Sequence, residues 1–178
     1  MNEDIQRILF SEDEIRQTVR RLGAQINADY RDKNLLMVSI LKGAVVFMTD
    51  LMREITVPCQ IDFMAVSSYD GAHSTGEVQI LKDLGVSPKG FDLLIVEDIL
   101  DSGRTLHYLT QLLERRQPES IRICTLFDKP EGRKSPVQAD YVGMLVPNEF
   151  IVGYGLDYNE KYRNLPYIGI LKPEVYGG

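Results

Sequence analysis

Apolar residues return along this chain in two alternating rhythms. Ile15, Val19, Leu22 and Ile26 recur at intervals of three and four, which places them on one side of an α-helix. Ser11 stands three residues before Glu14, so the serine oxygen can accept a first-turn N–H while the glutamate reaches back. The pattern predicts an amphipathic helix from about Glu12 to Tyr30. Leu35 to Leu41 is then apolar over a length too short for an independent helix and reads as a strand, running through Lys42-Gly43 into a helix from Ala44 to Glu54. Gln60 to Val66 predicts the next strand, Ser67 to Glu77 a polar loop, and Val78 to Leu81 a short strand.

Phe91 to Val96 is nearly continuous in apolar residues, as expected of a strand covered on both faces of a parallel sheet. A helix from Gly103 to Arg116 and a strand from Ser120 to Phe127 complete a further βαβ unit. The order β-α-β-β-β-α-β points to a layered α/β domain. Beyond Lys129 the chain turns to Gly, Pro and Tyr, with short strands expected at Tyr141 to Val146, Phe150 to Tyr154 and Tyr167 to Leu171. With no internal repeat, low-complexity tract or linker, residues 1–178 read as a single domain.

Composition narrows the picture. A chain of 178 residues falls within the roughly 100 to 200 residues of one domain. Its net charge of −6 argues against wrapping nucleic acid or lying on an anionic membrane, either of which needs a basic field. The two cysteines, Cys59 and Cys124, form no C-x-x-C pair, so neither a zinc site nor a disulfide framework is indicated. No run approaches the ~18 apolar residues of a spanning helix, and Met1-Asn2-Glu3-Asp4 is acidic where a secretory signal is basic. A soluble cytoplasmic protein is expected.

In open α/β sheets, ligands gather beyond the carboxyl ends of the strands, where helix amino termini offer unpaired N–H groups. The richest such junction is Val96-Glu97-Asp98-Ile99-Leu100-Asp101-Ser102-Gly103-Arg104-Thr105-Leu106. Asp101 to Thr105 is a turn of small and polar residues entering a helix, so its N–H groups and the Ser102 and Thr105 hydroxyls can surround a phosphate. Helix capping alone would also account for Asp101 or Ser102. The acidic pair upstream tilts the choice. Carboxylates beside a phosphate nest repel it unless they serve something else, and vicinal sugar hydroxyls donate to carboxylates. Phosphate at one end and a diol at the other describe a ribose 5-phosphate. Other phosphate loops fail: Gly71 and Gly76 have the Walker spacing, but Glu77 stands where lysine is required, and Gly153-Tyr154-Gly155 lacks the third glycine of the dinucleotide fingerprint.

This segment resembles the signature of phosphoribosyltransferases that use 5-phosphoribosyl 1-diphosphate, and Glu3 to Tyr176 as a whole resembles their hypoxanthine-guanine branch of bacterial type. The resemblance implies the type I phosphoribosyltransferase fold, an α/β architecture with a twisted, mostly parallel sheet flanked by helices. A small hood is built from the terminal segments, with residues from about 129 to 178 contributing to purine binding. Glu97 and Asp98 would hold the ribose hydroxyls, while Asp101, Ser102, Gly103, Arg104 and Thr105 would take the sugar phosphate. Leu41-Lys42-Gly43 matches the diphosphate loop, where the peptide before the lysine is cis. Ser67-Ser68-Tyr69 with the residues to Gly76 is similar to the mobile lid, so Ser68 and Tyr69 join Lys42, Gly43 and Arg163 around the diphosphate. Lys129, Phe150, Ile151 and Asp157 fall on the purine positions, and Asp157, with Glu97 and Asp98, on those associated with magnesium.

Chemistry supports these implications. The sugar C1 becomes oxocarbenium-like and must be kept from water, which calls for a lid. The departing diphosphate needs a divalent cation to offset its charge, and Mg2+ takes few protein carboxylates. An ammonium only donates, so Lys129 suits a 6-oxo oxygen and faces donor to donor with the adenine amino group. Asp101 is the expected general base for the purine ring proton. His73 and His107 read as lid and helix-surface residues. The expectation is a purine-salvage transferase taking a 6-oxopurine, hypoxanthine or guanine, and the sugar donor, with no nucleic-acid or membrane partner, as a homodimer or homotetramer. The rival reading is a nucleotide-sensing RNA-binding regulator on the same scaffold, which would have to use Arg20-Arg21, Arg115-Arg116 and Arg133-Lys134 as a basic surface.

Overall fold

The computed structural model describes residues 2–68 and 78–177. Its larger sheet contains β2 (Leu35–Leu41), β3 (Cys59–Ser68), β4 (Val78–Lys82), β5 (Asp92–Leu100), β6 (Ser120–Asp128) and β7 (Tyr141–Leu145), in the order β4-β3-β2-β5-β6-β7. Every pairing is parallel except β3 with β4, which closes one edge in the antiparallel sense. β2 and β5 are central and are buried from Leu35 to Ile40 and from Leu93 to Val96, which is why neither alternates in sequence.

Side chains of β2 and β5 sort to two faces, as the two-residue period of a strand requires. Met37, Leu94 and Val96 join the cluster of α1 (Glu12–Asp29) and α2 (Val45–Glu54), in which Ile15, Val19, Leu22, Phe47 and Leu51 are buried. Leu36, Val38, Leu93 and Ile95 pack on the other face with Leu106, Leu109 and Leu113 of α3 (Arg104–Glu114). The capping box opening α1 is formed: Ser11 N–H donates to Glu14 Oε2 at 2.8 Å and Ser11 Oγ accepts from Glu14 N–H.

A second, antiparallel sheet joins the two ends of the chain in the order β1-β9-β8, with β1 at Ile5–Phe10, β8 at Ile151–Val152 and β9 at Ile168–Leu171. It is followed by a one-turn helix, α4 (Pro173–Tyr176). Phe10 at the end of β1 stacks on Phe127 of β6, centroids 6.0 Å apart. Thus the terminal sheet sits beside the carboxyl end of β6.

Most boundaries shift by a residue or two from the sequence expectation, β3 running on into Ser67 and Ser68 where a loop was expected, and three of the shifts bear on the site. β5 continues through Glu97 and Asp98 to Leu100, so the acidic pair belongs to the strand itself. α3 begins at Arg104 because Gly103 is left-handed, φ +75°. β8 has two residues where five were expected, since the chain turns at Gly153 to pair with Leu156.

Candidate active site

Between β5 and α3 the chain makes its turn through Asp101, Ser102 and Gly103. A side chain at Gly103 would be strained by the positive φ and its Cβ would run into Val137 Cγ1. No side chain caps α3. Ser102 Oγ reaches Arg104 N–H only at 3.5 Å, so conventional capping is not how this turn uses Asp101 and Ser102. A first turn without a capping side chain leaves helix N–H groups available to an anion, with Ser102 and Thr105 beside them.

The acidic pair is divided in its surroundings. Asp98 is buried, its Oδ1 accepts from Ile99 N–H at 2.8 Å, and burial pushes its carboxyl up to about 6. Glu97 is pushed well above the usual carboxylate range by burial and by Asp98, and its Oε2 is buried with no hydrogen-bond partner. Two desolvated acids, one with an oxygen that no protein group bonds, suit hydroxyl donors or a cation.

Lys42 and Gly43 follow β2, and the Leu41–Lys42 peptide is cis. A Cβ on Gly43 would fall on Asp98 Oδ2, and one on Gly155 would fall on the Gly43 carbonyl oxygen. The Lys42-Gly43 loop is therefore pressed between the acidic strand and the segment around Gly155. Arg163 donates to the Gly155 carbonyl at 2.7 Å and pairs with Asp157 at 2.9 Å. Asp157 Oδ2 in turn accepts from Glu160 N–H at 2.8 Å. Glu160 bridges Lys42, at 3.1 Å, and Arg163, at 3.5 Å. Lys42, as the strongest partner, holds the Glu160 carboxyl below its ordinary range.

On the far side of Asp101, Lys129 is nearly buried, with Nζ 3.8 Å from Asp101 Oδ2 and 3.4 Å from the Glu149 carbonyl. Phe150 is half-exposed, stacks on Tyr176 at 5.0 Å and meets Tyr158 edge-on. Ile151 is buried in the core cluster, paired with Ile170.

The expected residues thus gather along one rim of the sheet. Ser68 ends β3, and Tyr69, with His73, Gly71, Gly76 and the rest of the lid, lies outside the described residues. A cavity of about 470 Å³ between α1, α2 and residues 163–166 shares only Arg163 with the expected set. Among the described residues no three His, Cys, Asp or Glu side chains converge on a metal position. Glu97, Asp98 and Asp157 therefore form no closed carboxylate cage. The hard oxygen donors, including the orphaned Glu97 Oε2, fit an ion that keeps several waters and binds substrate oxygens, as magnesium does. The residues that sequence reasoning missed are Glu160, whose signal was its place in Asp157-Tyr158-Asn159-Glu160; Tyr176, which gave none; and Arg133, counted only toward the basic surface of the rival reading but nearly buried here.

A mostly parallel sheet that sets an uncapped helix start, an acidic pair and a cationic loop around one rim defines the type I phosphoribosyltransferase class. The family described as "Phosphoribosyl transferase domain" matches residues 8–159. The hypoxanthine-guanine phosphoribosyltransferase of Streptococcus pyogenes is 55% identical, covering 99% of this chain and 98% of that protein, and that of Bacillus subtilis is 54% identical over 177 residues. The chain is 57% identical to the bifunctional protein TilS/HprT of Listeria innocua, of which it spans 27%. A hypoxanthine phosphoribosyltransferase structure from Staphylococcus aureus superposes with a TM-score of 0.96 at 54% identity, covering 100% of this chain and 97% of that one. The chain belongs to the hypoxanthine-guanine phosphoribosyltransferase family.

Proposed function

We propose that this chain transfers the 5-phosphoribosyl group from 5-phosphoribosyl 1-diphosphate to hypoxanthine or guanine, giving the nucleoside monophosphate and diphosphate, as purine salvage requires. The observation that carries the reading is Lys129 lying 3.8 Å from Asp101. An oxopurine presents O6 and N7 side by side on one edge, so a donor and a proton acceptor held together meet both. Lys129 donates to O6 while Asp101 accepts the ring proton, freeing electron density for the new bond from N9 to the sugar carbon. That bond forms as the bond from the same carbon to the diphosphate oxygen breaks.

Ser102, Gly103, Arg104 and Thr105 hold the sugar phosphate, with Asp101 beginning the turn. Glu97 and Asp98 take the ribose hydroxyls. Lys42, the Gly43 backbone and Arg163 receive the diphosphate, with Ser68 and Tyr69 closing over it. Phe150 stacks on the base, and Ile151 and Asp157 meet its far edge. Mg2+, held through Glu97, Asp98 or Asp157 together with substrate oxygens, would offset the charge gathering on the leaving group. The remaining acceleration comes from alignment and from fixed charges at the rim.

The reading extends to a cytoplasmic enzyme of one domain that works as a homodimer or homotetramer. Among the described residues no helix is long and apolar enough to cross a membrane. Three of the arginines that the RNA-binding alternative would use are engaged within the chain: Arg116 is bidentate to Asp83, both bonds 2.7 Å. Arg21 donates to the Val142 and Gly143 carbonyls, and Arg133 is nearly buried. A panel of purine bases assayed with the sugar donor, with and without Mg2+, tests the reaction. Nucleotide should form from hypoxanthine and guanine only, and only with the metal; turnover of adenine at a comparable rate would refute the base assignment.

A further inference from the structure

Arg133 lies in none of the substrate positions above, yet it is bonded more heavily than any of them. Nε donates to the Asp101 carbonyl at 3.0 Å, Nη1 to the Val137 carbonyl at 2.7 Å, and Nη2 to the Leu100 carbonyl at 3.3 Å and to the Asp128 carboxylate. Its side chain is 19% exposed. A guanidinium offers five N–H donors in a rigid plane, and here that plane spans three pieces of backbone that carry the site: the end of β5, the catalytic turn, and the strap that follows β6.

The strap is tied to the same turn from both sides of Arg133. Lys129 N–H donates to the Leu100 carbonyl at 3.0 Å and Lys134 N–H to the Ser102 carbonyl at 2.9 Å. Gly132 lies so close to Asp101 that a Cβ there would fall on its Oδ1. The Asp101 carboxylate thus rests on the strap backbone, and its carbonyl is gripped by the strap's arginine. We propose that Arg133 is a positioning residue that locks Asp101 and Lys129 into one rigid unit, so that proton acceptor and O6 donor keep their spacing through the reaction. The inference rests on the assignment of Asp101 as general base.

The coupling is tested by a double-mutant cycle on kcat. Arg133→Met should lower kcat at least about tenfold with the KM for the sugar donor changed less than about threefold. In the Asp101→Asn background the same replacement should change kcat less than about twofold, because the base it positions is already gone. Gly132→Ala leaves Arg133 intact and displaces the Asp101 carboxylate directly; it should reproduce the kcat loss with an unchanged melting temperature, which covers the case in which Arg133→Met folds poorly. Losses that multiply across the two backgrounds, or a normal kcat in Gly132→Ala, overturn the positioning role. A normal kcat in Asp101→Asn alone overturns the base assignment instead.

Discussion

Glu160 Oε2 lies 3.1 Å from Nζ of Lys42, across 118 residues of sequence. The same carboxyl group reaches Arg163 at 3.5 Å, so one internal anion serves both cations assigned to the diphosphate. Exposed pairs of this kind contribute little to stability. On the proposed assignment of Lys42 and Arg163 to the diphosphate, the carboxylate would compete with the substrate for the same charges. Glu160→Gln should leave the melting temperature unchanged while lowering the donor KM and the inhibition constant of diphosphate by about threefold, a gain that steady-state kinetics and product inhibition read directly. A raised KM would mean that Glu160 assists binding.

Asp101→Asn keeps the shape of the turn and removes the proton acceptor. General-base contributions are typically 10² to 10⁴-fold, so kcat should fall at least tenfold while donor binding, measured by calorimetry, is largely retained. Unchanged turnover would remove Asp101 from its role.

Lys129→Ala removes the donor from a nearly buried position 3.8 Å from Asp101. Sites that hydrogen-bond a substrate group reject analogues lacking it by 10⁴ or more. The variant should lose rate with hypoxanthine and narrow its preference over adenine, as the ratio of kcat/KM for the two bases would report. An unaltered ratio would place base selection elsewhere.

Asp98 gives a stability prediction with a definite sign. Burial raises its carboxyl to about 6. At pH values below the ordinary carboxylate range the group is protonated in folded and unfolded chains alike and costs nothing. As pH rises toward 6 the unfolded chain releases its proton first, so stability falls across that window and the full penalty stands above it. Asp98→Asn should therefore stabilise the ligand-free protein by on the order of 2–3 kcal/mol at pH 8, with the gain vanishing near pH 4. Thermal melts of both proteins across that range decide it; a constant difference would show that Asp98 does not titrate there.

The centre of the main sheet was legible because β2 and β5 are covered on both faces: Leu35 to Leu41 and Phe91 to Val96 announce themselves as nearly continuous apolar runs between helices with clear periodicity. β1 was not. Ile5 to Phe10 leaves Ile8 exposed and finds its partner in β9, with Ile5 opposite Leu171, a pairing that no local pattern encodes. The phosphate turn and acidic pair could be argued from residue chemistry, whereas Lys129, Phe150, Ile151 and Asp157 depended on family resemblance, because their neighbours in space come from distant segments. Arg133 misled for a related reason. Beside Lys134 it resembles a surface charge, and only the folded chain brings three carbonyls and a carboxylate around it.

Gly155 lies against the Gly43 carbonyl, and Gly43 in turn against the Asp98 carboxyl, with no Cβ at either glycine to hold the layers apart. Variation within this layer is closed off, since the smallest addition at Gly43 would strike the Asp98 carboxyl and one at Gly155 the Gly43 carbonyl. Redesign toward other nucleobases has to proceed from the periphery, through Phe150, Tyr176 and the loop that bears Lys129, leaving this glycine seam untouched.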